Sequence, residues 1–224
     1  MCYNNDKILL IMTTRKIKFS EGEYYHIYNR GVDKRSIFND SNDYNKFIES
    51  LYCANSTEPI GKNKGFPMII KGETLTYIGA WCLMPNHFHL LVKEKSEGGL
   101  SKFLSKLQTS YSMYFNSKYK RNGSLFQGMF KAEHLDEDGY LKYIYSYIHL
   151  NPVKLIQSDW KEKGLDDIEK TKEFLNNYKY SSYCDYLNLN RRETKILNKK
   201  VFPEYFESVD IFTDEIFSWL KFSK

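Results

Sequence analysis

The chain lacks any apolar run long enough to span a membrane. Its longest early one, Ile8 to Met12, falls far short of the roughly 20 residues a spanning helix needs. That run also lacks the small-residue cleavage pattern of a secretory leader. Cysteine is scarce and scattered: Cys2, Cys53, Cys82 and Cys184 form no CxxC pair, which argues against a cysteine zinc site and a disulfide framework. The expected setting is a reducing cytoplasm, with no membrane partner. No internal repeat of the solenoid or propeller kind is present. Acidic residues are missing altogether from Ser101 to Ala132, and basic ones from Phe202 to Leu220.

What is present fits a folded protein. Hydrophobic residues make up 42% and charged residues 27% of 224, too apolar for a disordered chain and enough for one core with an appended segment. Net charge is only +5, so the distribution matters more than the sum. The acid-free stretch holds Lys102, Lys106, Lys118, Lys120, Arg121 and Lys131, and a segment with one sign of charge attracts polyanions, nucleic acid above all. The 19 Tyr and 15 Phe supply ring faces on which unpaired bases can stack, although most belong to a core.

Periodicity gives a first layout. Residues 1–22 form a lead-in without pattern, with Met12 as an alternative start. Tyr24 to Tyr28 is aromatic and β-branched and predicts a strand ending at Asn29-Arg30-Gly31. Asp40 or Ser41 caps a helix whose buried stripe is Tyr44, Phe47, Ile48 and Leu51. Residues 54–72 read as a loop. Two strands, Leu75 to Leu83 and Phe88 to Lys93, join through a Met84-Pro85-Asn86 turn. After Gly98-Gly99 a long amphipathic helix buries Leu100, Phe103, Leu104, Leu107, Tyr111 and Phe115, presents cations on its other face, and ends at Asn122-Gly123. Leu125 to Leu135 offers a further strand. A last patterned helix, Glu137 to Leu150, has a core stripe of Leu141, Ile144 and Ile148 and a second stripe of Tyr140, Tyr143, Tyr147 and Asn151. Pro152 disfavours helical geometry at Asn151, which places that residue in or just past the final turn. The layout divides into the lead-in, a domain over 23–155, and a mostly helical extension over 156–224 that ends in an acidic tail. Glu204, Glu207, Asp210, Asp214 and Glu215 in that tail suggest a segment that packs over the basic surface and competes for its polyanion.

Two features bear chemistry. His87 and His89 flank Phe88 at the start of a strand, so both imidazoles project from one face, where they can share a divalent cation. Two ligands do not close a site. Tyr147 and Asn151, four apart on a helix, face the same way, and the amide carbonyl of Asn151 is a candidate third ligand. A tyrosine, with an ordinary pKa of about 10, becomes a competent nucleophile toward a phosphodiester when a cation withdraws charge from the phosphate. Tyr143, one turn earlier, is the rival, but it lies two turns from Asn151.

Five strings in order carry a resemblance. Tyr25-His26-Ile27-Tyr28-Asn29-Arg30-Gly31, Gly79 to Val92 around the His pair, Leu125-Phe126-Gln127-Gly128-Met129-Phe130-Lys131, Tyr147-Ile148-His149-Leu150-Asn151-Pro152-Val153-Lys154 and Tyr178-Lys179-Tyr180-Ser181-Ser182-Tyr183 resemble segments of REP-associated tyrosine transposases and related single-tyrosine HUH transposases of the IS200-like kind. The resemblance covers about residues 23–188. It implies a ferredoxin-like (RRM-like) α+β fold, with an antiparallel sheet, helices on one face and the active site on the other, plus a C-terminal helical extension. It implies Mg²⁺ or Mn²⁺ on His87, His89 and Asn151, and Tyr147 attacking single-stranded or hairpin DNA to leave a 5′-phosphotyrosine and a free 3′-OH. Arg30, Lys34, Arg35, Lys102, Lys106, Lys120, Arg121 and Lys131 are the candidate DNA contacts. The alternative is a module on the same fold that grips structured DNA or RNA without cutting it. Monomer and homodimer both stay open, and a dimer would allow Tyr147 to serve the partner's histidines.

Overall fold

The computed structural model describes residues 17–58 and 73–219; the rest of the lead-in, including Met12, and most of the 54–72 loop lie outside the described residues. Strands β1 (Tyr24–Arg30), β2 (Thr76–Met84), β3 (His87–Glu94) and β4 (Lys131–His134) and helices α1 (Ser41–Ala54) and α2 (Gly99–Lys118) run in the order β1-α1-β2-β3-α2-β4. The strands form one sheet in the order β2-β3-β1-β4, with every neighbouring pair antiparallel. This is the ferredoxin-like arrangement, with β1 and β3 in the centre.

The alternation of side chains along β1 and β3 divides the sheet into two chemically different faces. Tyr25 and Ile27 of β1, with Phe88, Leu90 and Val92 of β3, join Phe47, Ile48 and Leu51 of α1 and Leu100, Phe103, Leu104, Leu107 and Tyr111 of α2 in one buried cluster. The opposite face receives His26 and Tyr28 from β1 and His87, His89 and Leu91 from β3. Helix α3 (Asp138–Leu150) lies across that second face, where Leu141, Ile144, Tyr145 and Ile148 bury Ala80, Cys82, Met84 and Leu91. Helices α1 and α2 thus share one face as expected, and the tyrosine-bearing helix roofs the other.

Strand β2 changes faces partway. A register shift between Ile78 and Ala80 inserts one residue, Gly79, so that Ile78 points to the α1–α2 side while Ala80, Cys82 and Met84 point to α3. A Cβ at position 79 would meet the Phe202 ring at 2.8 Å, so the bulge needs glycine for close approach.

Two boundaries differ from the sequence reading by several residues, and Asn151, placed at the helix end as expected, differs in its backbone conformation. Helix α2 ends at Lys118 with Tyr119 as its cap, and Lys120 takes a left-handed φ of 50° before Asn122 is reached. The expected strand over 125–135 shrinks to β4, because Gly128 turns the chain at φ +67° and only an isolated bridge, Gly31 to Phe126, precedes it. Asn151 keeps helical geometry (φ −53°, ψ −40°). Pro152 is accommodated because the chain passes there into a 3-10 turn, Asn151–Leu155, whose first turn needs no N–H from it.

Beyond it come α4 (Trp160–Lys163), α5 (Ile168–Asn177), α6 (Tyr183–Tyr186), two short 3-10 turns and α7 (Val209–Ser218). Leu150, Val153, Trp160, Leu175, Tyr183, Phe212, Ile216 and Phe217 form their own buried cluster. The extension also binds the outer edge of β2. Leu83 N–H donates to the Tyr180 carbonyl and Ser182 N–H to the Trp81 carbonyl, each at 2.9 Å. The Tyr178 and Tyr186 hydroxyls donate to the Leu83 and Gly79 carbonyls at 2.6 and 2.8 Å.

Candidate active site

The β2–β3 hairpin presents the first histidine. Its two-residue turn, Pro85-Asn86, is clamped from outside: Ile37 N–H donates to the Pro85 carbonyl and Gly31 N–H to the Asn86 carbonyl, each at 2.9 Å. The Asn86 amide donates to the Lys34 carbonyl at 3.0 Å, which leaves its oxygen 2.6 Å from His87 Nδ1. Gly31 permits this clamp, since a Cβ there would sit 2.3 Å from the Arg35 carbonyl oxygen.

His89 is 5% exposed and His26, from β1, is 3% exposed. Their Nδ1 and Nε2 atoms, respectively, lie 2.9 Å apart. His26 Nδ1 faces Glu133 Oε2 at 3.4 Å, and the Tyr28 and Tyr140 hydroxyls donate to that carboxylate at 2.9 and 3.2 Å. Both His87 and His89 therefore have Nδ1 engaged by a neighbouring side chain, which leaves each Nε2 for a ligand.

Tyr147 reaches over from α3. Its ring stands edge-on to His89, with centroids 5.4 Å apart, and to His26 at 5.5 Å. The ring neighbours of Tyr143 are instead Tyr140, Tyr147 and Trp219, which distinguishes the two candidate nucleophiles by geometry. Asn151 is 3% exposed; its amide donates to the Tyr147 carbonyl at 2.9 Å, satisfying an acceptor at the helix end. Its side chain also acts on the His87 imidazole, raising its pKa, and on the Tyr147 phenol, lowering its pKa.

Electrostatics follow from burial and a ring of cations. Burial, then Lys154 and Arg30, holds His87 down to about 4, with the Asn151 bond working the other way. Burial, then the neighbouring His26 and His87, holds His89 well below its ordinary value. Both imidazoles are therefore neutral and need shed no proton to bind a cation. Burial raises the Tyr147 phenol, and the Asn151 bond partly offsets this. Lys161 of α4 lies 4.6 Å from the centre of the Tyr147 ring, with its ammonium pKa lowered by burial and then by Lys154. Glu133 is held down to about 2, chiefly by its His26 bond.

Two cavities meet at Tyr143 and Tyr147. One, about 270 Å³, is lined by His26, Tyr28 and His89 of the sheet, Glu133, and Tyr140, Tyr143, Ile144 and Tyr147 of α3. The other, about 190 Å³, is lined by Leu150, Asn151, Trp160, Lys161 and Trp219 besides the two tyrosines. A larger cavity of about 440 Å³ beneath residues 199–209 is not lined by the histidines; a site is defined by converging chemistry rather than by size.

Imidazole nitrogens and an amide oxygen are donors that a divalent cation accepts. Among the described residues no three His, Cys, Asp or Glu side chains converge. The protein offers two imidazole nitrogens and the Asn151 amide oxygen, and the remaining positions suit water and phosphate oxygens.

The sequence-predicted DNA contacts divide. Arg30 acts electrostatically on His87 and hydrogen-bonds Gln127. Lys131 lies 6.0 Å from the Tyr28 ring centre. Lys34 and Arg35 flank the clamp on the hairpin turn, Arg35 being paired with Asp33 at 3.0 Å. Lys102 and Lys106 belong to α2, behind the sheet, and Lys106 donates to the Ser56 and Glu58 carbonyls. Lys120 and Arg121 follow α2, and Arg121 lies over the Phe115 ring. The acidic α7 rests on α3, with Glu215 2.9 Å from Lys142 and Trp219 against Tyr143 at 4.8 Å, rather than over the basic helix. Sequence reasoning left His26, Glu133, Lys154 and Lys161 without a role. His26 and Glu133 are cross-strand partners in the β1–β4 register, a pairing that only the sheet reveals.

A two-faced ferredoxin-like sheet with paired histidines under a helix-borne tyrosine is the class of protein that the fold and site define. Residues 65–151, which carry His87, His89, Tyr147 and Asn151, match the family model described as transposase IS200 like. Among solved structures, the chain is similar to a REP-associated tyrosine transposase bound to a REP hairpin, at 15% identity and a TM-score of 0.53 over 81% of this chain and 90% of that one. It is also similar to a bacterial tRNA(His) guanylyltransferase (Thg1)-like protein in complex with GTP, at 11% identity and a TM-score of 0.38 over 65% of this chain and 71% of that one. No curated protein matches the chain.

Proposed function

We propose that this DNA transposase cleaves and rejoins single-stranded DNA through a 5′-phosphotyrosine on Tyr147, using a Mg²⁺ or Mn²⁺ ion on His87, His89 and the Asn151 amide. The observation that carries this reading is the Tyr147 ring lying 5.4 Å from His89, with Asn151 bonded to the Tyr147 carbonyl one helical turn away. The bound cation would neutralise charge on the scissile phosphate and polarise it toward attack. His87 and His89, neutral at physiological pH, hold that position open. Tyr147 Oη forms the new bond to phosphorus while the bond to the 3′ oxygen breaks, and the departing oxygen takes up a proton. Lys161, beside the Tyr147 ring, favours loss of the phenolic proton and counters the effect of burial. Arg30 and Lys131 hold the strand through its phosphates. The REP hairpin in the related structure supports a hairpin as the ligand.

The test is covalent capture. Labelled single-stranded DNA carrying a randomised hairpin stem and flanks, incubated with the protein and Mn²⁺, yields an adduct that survives denaturant. Tyr147→Phe yields none, His87→Ala yields none at Mn²⁺ levels sufficient for the wild type, and chelation abolishes the reaction. An adduct persisting in Tyr147→Phe would move the nucleophile to another tyrosine. A pool that is bound but never cut would return the chain to a non-cleaving binding module.

A further inference from the structure

Glu133, His26 and His89 form a line of side chains across three adjacent strands, and each link has a direction. An ionised carboxylate only accepts hydrogen bonds, whereas a neutral imidazole has one nitrogen that donates and one that accepts. Glu133 takes hydroxyl hydrogens from Tyr28 at 2.9 Å and Tyr140 at 3.2 Å, and its Oε2 faces His26 Nδ1 at 3.4 Å. With one hydrogen on its ring, His26 carries it on Nδ1. Its Nε2 is then bare and can only accept, so the 2.9 Å contact with His89 requires His89 to donate from Nδ1. That leaves the lone pair of His89 on Nε2.

We propose that Glu133 and His26 are positioning residues for the cation site: the carboxylate sets which nitrogen of His26 carries hydrogen, and His26 thereby sets which nitrogen of His89 is free to ligate. His87 reaches the same tautomer by a shorter route, with Asn86 Oδ1 2.6 Å from its Nδ1. An asparagine held by the Lys34 carbonyl presents its oxygen there, and His87 must donate to it. The two ligands are thus prepared by different devices, a turn residue for one and a three-residue relay for the other. Partners of this kind fix ring orientation and ligand basicity, and their loss typically weakens metal binding about 10- to 100-fold.

The inference rests on the reading of His87 and His89 as ligands, so its test begins without metal. In the metal-free protein at neutral pH, ¹⁵N–¹H correlation spectra of the histidine rings report directly which nitrogen is protonated. The expected result is hydrogen on Nδ1 of both His26 and His89 in the wild type. In Glu133→Gln the amide can donate as well as accept, so the His89 signal becomes a mixture of tautomers or reverses. Glu133 has a side chain 42% exposed, so this isosteric change leaves the core intact. Tyr140→Phe, which removes only an outer donor to the carboxylate, keeps the wild-type pattern. Mn²⁺ titration followed by electron paramagnetic resonance then gives an affinity at least about tenfold weaker in Glu133→Gln than in the wild type. Hydrogen on Nε2 of His89 in the wild type, or an unchanged tautomer and affinity in Glu133→Gln, overturns the proposal. A wild-type protein with the expected tautomers that binds no Mn²⁺ would leave the relay standing and remove the metal reading instead.

Discussion

His149, beside the functional stripe of α3, shows how one buried imidazole ties stability to pH. Its Nε2 lies 2.7 Å from Ser182 Oγ, and burial holds it down to about 3. Its pKa is lower folded than unfolded, so the unfolded chain takes up a proton first as pH falls. The stability that neutral His149 allows is complete above about 6.5 and is lost progressively as pH falls from there toward 3. His87 adds a loss of the same sign, ending at about 4. Urea midpoints measured down this range should fall, and more shallowly in His149→Phe, where the His87 contribution remains. An identical slope in that variant would remove His149 from the account. At this scale the sequence was legible wherever spacing along one element carried the signal. His87 with His89 and Tyr147 with Asn151 are such pairs. His26 with Glu133 is not, because 107 positions separate them and only the β1–β4 register makes them neighbours.

At the scale of elements, alternation located β1, β2 and β3 and helical periodicity located α1, α2 and α3, because each buries one face against the core. The bulge at Gly79 left no such mark, since one inserted residue shifts the alternation without breaking the apolar run. The attachment of residues 178–202 to β2 was equally hidden. It depends on backbone groups and hydroxyls meeting a strand edge: Tyr180, Ser182 and Asn198 bind through backbone or amide atoms rather than through an apolar stripe. An edge strand left open is a template for pairing with other chains. Ending the chain after Asn177 should therefore turn a well-dispersed protein into one that associates, as light scattering or sedimentation would register. A truncated chain that associates no more than the full chain at the same concentration would mean that the β2 edge needs no cover.

Over the whole molecule, the sheet separates two populations of cations that the sequence presented as one. Lys102 projects from α2, behind the sheet, while Arg30 and Lys131 share the face of the histidines. Single-stranded DNA held at the site should therefore respond to Arg30→Gln with a salt dependence shallower by about one counterion. Lys102→Gln should leave the slope unchanged. The reverse outcome would put the strand across α2. The acid-free stretch is continuous in sequence, but α2 carries its first half to one side of the sheet and β4 carries Lys131 to the other. Tyr147 is bounded by β1 through His26, by β3 through His89 and by α4 through Lys161, three elements from distant parts of the chain. A tyrosine has only two side-chain torsions, and here their freedom is given up when the chain folds. The entropy of aiming the hydroxyl is then lost once, in folding, instead of at every encounter with DNA.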